Sequence, residues 1–99
     1  MVRLKAELIE EERLEKMAEN LKAIGHPVRL QIANVLMSGE RSVGDLVRTL
    51  GEQQSLMSQH LTKLKIRGIV KSRRNGNVSF YSLKDEGMKN IIAAILGEV

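Results

Sequence analysis

From Gln54 to Lys65 the chain interleaves amides, hydroxyls and cations with aliphatic residues. Gln54, Ser55, Ser58, Gln59, His60, Thr62, Lys63 and Lys65 surround Leu56, Met57, Leu61 and Leu64. A glutamine amide can hydrogen-bond an adenine edge in bidentate fashion, and a serine hydroxyl serves several bases. Lysines suit phosphates, which fix position without specifying sequence. Arg67, Lys71, Arg73, Arg74 and Lys84 continue the run, with Asn75 beside the arginine pair. Residues 54–84 thus hold seven Lys or Arg and no Asp or Glu, although the net charge of the whole chain is only +4. Solvated faces usually mix signs, as residues 1–25 do with five basic and six acidic groups. A stretch of one sign points to a polyanionic partner.

Other chemistries are thinly supplied. The chain has no Cys, which removes disulfides, thiolate metal sites and thiol redox sensing together. Two His are few for a metal cage, and no Ser/His/Asp set or carboxylate pair is grouped for catalysis, so neither an enzyme nor a cofactor is expected. Phe80 and Tyr81 are the sole aromatics, too few for a stacking platform that binds single strands. No apolar run approaches the roughly 20 residues of a membrane span. Residues 1–20 are acidic and amphipathic, unlike a signal peptide, so a cytoplasmic protein is expected. At 99 residues the chain reads as a single domain over 1–99.

The elements that must position these groups follow from periodicity. Leu14, Met17, Ala18, Leu21 and Ile24 form a helical stripe, which Leu4 and Leu8 extend; the helix is predicted from near Ala6 to about residue 24, with Gly25 stopping it. Pro27 suits the first turn of a second helix, with His26 as a helix-start residue and Val28, Ile32, Ala33, Val35 and Leu36 inward. Ser42 is an N-cap, and Asp45 three residues on makes a capping box for a third helix that Gly51 closes. A fourth helix from Gln53 or Gln54 to near Arg67 is anchored by Leu56, Leu61 and Leu64. Two strands, 69–74 and 78–83, flank Asn75-Gly76, a signal for a type I′ turn that would set Arg74 opposite Asn77 and Arg73 opposite Val78. Met88, Ile91, Ile92, Ile95 and Leu96 mark a last helix over 86–97. The order α-α-α-α-β-β-α, mainly helical with a β-hairpin wing, is that of a winged helix-turn-helix.

Leu21 to Leu83 resembles the ArsR/SmtB family of small bacterial and archaeal transcriptional repressors. The stretches that carry the likeness are LKAIGHPVRLQIANVL at 21–36, SVGDLVRTLGEQQSLMSQHLTKLKIRGIVKSRR at 42–74 and VSFYSL at 78–83. The resemblance implies a homodimer on an inverted-repeat operator in double-stranded DNA. It implies that Gln54, Ser55, Ser58, Gln59 and His60, with Thr62 and Lys63, form the recognition-helix surface. Lys65, Arg67, Lys71, Arg73, Arg74 and Asn75 would hold backbone or wing contacts. It implies dimerisation through the helices near 6–24 and 86–97, with Leu14, Met17, Leu21, Met88, Ile91, Ile92 and Ile95 at the interface.

This sequence departs from the family where the family senses. Thiol-based metal sensors place two Cys around a Val ahead of Asp-Leu; here Ser42 and Gly44 flank Val43 before Asp45-Leu46. Sensors that use the last helix place carboxylates and His there; here Asp85 fits a first ligand, Gly87 stands where a His is expected, Glu98 fits the next, and the fourth position lies past Val99. The expected function is a repressor with an input other than a thiol-ligated metal. The alternatives are a winged-helix module for protein–protein contact, or a metal-responsive repressor using His26 or His60 with Asp85, Glu86 or Glu98 across a dimer. Soft metals prefer sulfur ligands, so arsenite, cadmium and lead should bind no tighter than to a generic protein surface. Stoichiometric submicromolar binding, seen by calorimetry in thiol-free buffer, would refute this.

Overall fold

The computed structural model describes residues 8–97. Five helices and three short strands follow in the order α1 (Glu11–Ile24), α2 (Pro27–Leu36), β1 (Arg41–Ser42), α3 (Val43–Leu50), α4 (Gln54–Ile66), β2 (Val70–Asn75), β3 (Val78–Leu83) and α5 (Glu86–Leu96). This is a mainly helical winged helix-turn-helix.

Capping chemistry sets several boundaries. His26 Nδ1 accepts from the Val28 N–H at 3.1 Å, and Pro27 follows at the first helical position of α2. Ser42 Oγ accepts from the Asp45 N–H at 3.0 Å. The reciprocal half of the expected capping box is not what engages the acid, because the Asp45 carboxylate pairs with Arg48. Asp85 caps α5 by accepting from Met88 N–H at 2.8 Å. Gly51 and Gly97 end α3 and α5 in the left-handed region, at φ 69° and 74°, which a side chain would disfavour.

Two boundaries differ from expectation. Helix α1 begins at Glu11, with Glu10 as its N-cap and Leu8 to Glu10 outside it; Leu4 and Ala6 lie outside the described residues. Glu11 and Glu12 occupy the first turn, where the helix dipole favours anions, so the acidic run marks the start that the apolar stripe placed too early. In the wing, Asn75 pairs with Val78, Arg74 with Ser79 and Arg73 with Phe80. The two-residue turn is therefore Gly76-Asn77. Gly76 has φ 64° and no non-glycine residue among the described residues has positive φ, the pattern of a type II′ turn, which takes Gly first, rather than type I′. Strand β1, two residues long and below any periodicity signal, adds to the other edge of β3 through Arg41–Tyr81 and Ser42–Phe80, giving the order β1-β3-β2.

The core gathers Ile32 and Leu36 of α2, Leu46 of α3, Met57, Leu61 and Leu64 of α4, Ile69, Leu83 and Ile92. Burying each such side chain contributes roughly 1.5–3 kcal/mol. Ile92 is completely buried within the chain, which corrects its assignment to a dimer interface. On the same helix Ile91 and Ile95 are 51% and 44% exposed; at 100° per residue, one position separates the inward face from the outward one. Helix α1 contributes only Ala23 and Ile24 to the core, leaving Leu14, Met17 and Leu21 exposed. Ile92→Ala should therefore destabilise the fold by about 2–5 kcal/mol, as read by urea unfolding. A loss below about 1 kcal/mol would mean that Ile92 does not fill the core as described.

Candidate nucleic-acid interface

Helices α3 and α4 are joined by Gly51, Glu52 and Gln53. Met57, Leu61 and Leu64, four and three residues apart and fully buried, lock one face of α4 against the core. The opposite face is then fixed by helical geometry. Gln54, Ser55, Ser58, Gln59, Thr62, Lys63 and Lys65 are all exposed along it and its flanks. Leu56, expected among the anchors, is 39% exposed; the anchoring position beside it belongs to Met57, 100° further round.

Two of the predicted contact residues on and at the end of α4 are occupied inside the chain. His60 is half-buried. Its Nδ1 accepts from Arg29 Nε at 3.1 Å, and its ring lies 4.6 Å from that of His26. Arg29 also donates from Nη1 to the Ala23 carbonyl at 3.1 Å. This single guanidinium ties the end of α1 to the middle of α4. Arg67 Nε donates to Asn20 Oδ1 at 3.0 Å and Nη2 to the Lys16 carbonyl at 3.5 Å, tying the far end of α4 to α1. The roles of Arg29 and Asn20 were not legible in the sequence, because their partners lie 31 and 47 residues away.

The wing arginines, alike in sequence, differ in place. Arg73 makes a bidentate pair with Glu40, Nε to Oε2 at 2.9 Å and Nη2 to Oε1 at 2.7 Å, and its guanidinium lies 4.6 Å above the Phe80 ring. The hydrogen bond from Arg73 holds the Glu40 carboxyl below its ordinary range, and Glu40 raises the Arg73 guanidinium in turn. Arg74 points the other way from the strand, exposed, with Lys71 and Asn75 also exposed. The basic stretch thus borrows an acid from outside itself. Glu40 sits in a charge-balanced segment, and nothing local marks it as a partner of Arg73.

Two positions that stand at the family's metal-ligand sites, one for each kind of sensor, serve structure instead. Ser42 caps α3, and Asp85 caps α5. Among the described residues no group of three or more His, Cys, Asp or Glu is arranged to hold a metal ion; Glu98 lies outside them. No helix among these residues is long and apolar enough to cross a membrane.

Residues 26–72, from the cap of α2 into β2, match the family described as bacterial regulatory protein, arsR family. The biofilm growth-associated repressor of Xylella fastidiosa is 39% identical over 85 residues, which cover 86% of this chain and 75% of that protein. HlyU from Vibrio cholerae superposes with a TM-score of 0.80 at 36% identity, over 87% of this chain and 94% of that one. The homodimeric winged helix-turn-helix DNA-binding domain of a possible ArsR-family regulator from Mycobacterium bovis superposes with a TM-score of 0.82 at 29% identity, over 92% and 86%.

Burial first, and then His26 and Arg29, lower the His60 imidazole below its ordinary value. Neutral His60 is the form that accepts from Arg29. The stability it contributes is therefore present above about pH 6.5, the unfolded value, and is lost as pH falls through the lower folded value. Thermal melts should show the wild type losing stability below about pH 6.5. His60→Gln, whose amide oxygen accepts without titrating, should flatten part of that decline. Identical pH profiles for the two would refute this role for His60.

Proposed function

This chain belongs to the arsR family of bacterial regulatory proteins, DNA-binding regulators of transcription, and we propose that it acts as a homodimeric repressor on an inverted-repeat operator. The observation that carries this reading is the geometry of α4. Its apolar side is locked in the core while Gln54, Ser55, Ser58, Gln59 and Thr62 stand exposed on a segment free of acids. A helix so presented can lie in the major groove with amides and hydroxyls at base edges. Lys63, Lys65, Lys71, Arg74 and Asn75 hold phosphates around it. His60 and Arg67 act by positioning α4 rather than by touching DNA, since both are engaged within the chain. Arg73 reaches phosphate only by exchanging Glu40 for it.

Dimerisation is supported by the exposed stripe of Leu14, Met17 and Leu21 on α1 with Ile91 and Ile95 on α5. Met17, Leu21, Met88 and Ile91 line one shared apolar depression of ≈ 200 Å³ together with Ile69. Isologous pairing of that surface buries it on both copies at once. The homodimeric state of the Mycobacterium bovis domain favours the same arrangement here. With no Cys in the chain and Ser42 capping α3 where a thiol-based sensor has a Cys, the input is something other than a thiol-ligated metal.

Selection from a random duplex library should recover an inverted repeat whose half-sites lie about 34 Å apart, one turn of B-DNA. On that duplex Gln59→Ala should cost about 1–3 kcal/mol and relax sequence preference. Arg74→Ala should weaken specific and scrambled duplexes alike and reduce the slope of log K against log salt by about 1. Glu40→Gln, which releases Arg73, should steepen that slope. If Arg74→Ala alters sequence preference while Gln59→Ala alters only the salt slope, the assigned roles are reversed. If no duplex is preferred over any other, the repressor reading fails.

A further inference from the structure

The exposed large aliphatic side chains are not scattered. Most lie on α1, on its approach or on α5, the face a second copy would cover. Among the described residues three lie elsewhere: Leu56, Ile66 and Val78, exposed by 39%, 73% and 45%. They sit at the start of α4, at its end, and beside the wing turn, all on the two elements that would meet DNA.

Leu56 is the one at the end of α4 that enters the groove. It is the third residue of the helix, after Gln54 and Ser55 and immediately before the buried Met57. Residues in the N-terminal part of a recognition helix are those that reach base edges. Its neighbours there can hydrogen-bond; Leu56 cannot. Against a base amino or carbonyl group, its isobutyl side chain would strip water and return no hydrogen bond, which is unfavourable. The major-groove edges of the four base pairs carry one apolar group, the 5-methyl of thymine. We propose that Leu56 is a specificity-determining residue that packs on a thymine 5-methyl group in each half-site. Leu56 selects T by attraction to its methyl group and opposes bases that present an unpaired donor or acceptor at that position. This assignment rests on α4 being the recognition helix.

Deoxyuridine differs from thymidine only by that methyl group, so the test replaces each dT of the selected duplex by dU, one position at a time, in one half-site and then in both. One position should weaken wild-type binding about 4-fold per half-site and about 15-fold when both are changed, the loss expected for one buried methyl per site. Leu56→Ala, folded by circular dichroism, should bind the dT and dU forms of that position equally. Ile66→Ala, at the far end of the same helix, should keep the full penalty. The proposal is overturned if no dU position weakens the wild type, if Leu56→Ala retains the penalty, or if Ile66→Ala abolishes it. Sequence-specific binding without methyl dependence removes only the role of Leu56. Absence of any preferred duplex removes the recognition helix as well.

Discussion

Met57, Leu61 and Leu64 cannot leave the core without unfolding it, and every exposed group on α4 is where it is because of them. An α-helix has one free rotation about its axis once its ends are placed. Three fully buried side chains on one stripe remove that rotation. The polar residues are then aimed without needing contacts of their own, which leaves them free for a ligand. Two further ties, from Arg29 to His60 and from Arg67 to Asn20, fix the helix along α1. The aim of the outward face and the stability of the fold are therefore the same quantity measured twice.

Electrostatics adds a second layer that the charge count conceals. Seven cations and no acid between residues 54 and 84 would give a uniformly attractive surface. Glu40 breaks that uniformity by clamping Arg73 over Phe80, while Arg74 remains unclamped one residue further on. Adjacent residues of a strand point to opposite faces, so two like residues acquire unlike roles. An exposed pair of this kind contributes little to stability. Its larger effect is on how much unbalanced positive charge the wing presents.

What the sequence made legible was local. The helices α2 to α5 follow from apolar spacing of three and four, and Ser42, Pro27, Gly51 and the Asn-Gly region mark the ends through backbone chemistry that acts over a few residues. The failures have equally physical reasons. β1 is too short to alternate. The turn slipped by one residue because Gly76 serves either of two primed turns and the dipeptide signal does not choose between them. Ile91 and Ile92 are chemically alike, and only the packed helix says which one faces inward; the same holds for Leu56 and Met57. The Arg73–Glu40 and Arg67–Asn20 pairs join residues 33 and 47 apart, and no spacing rule spans such distances. The candidate contact residues could be chosen by type, but whether each was free or engaged was decided by the fold.

Helix α1 has a consequence of another kind. Fourteen residues long, it buries only Ala23 and Ile24 against its own chain, and a lone helix of that length is marginal in water. Ala23 and Ile24, with the ties from Arg29 and Arg67, hold its later turns, while Leu14, Met17 and Leu21 lie bare on the chain alone. Were a second copy to cover them, as proposed, the order of α1 would become partly bimolecular and subject to mass action. The helix would then fray where the chain is scarce and harden as it accumulates, and an exposed stripe of three side chains would set the dose at which two copies of α4 come into register.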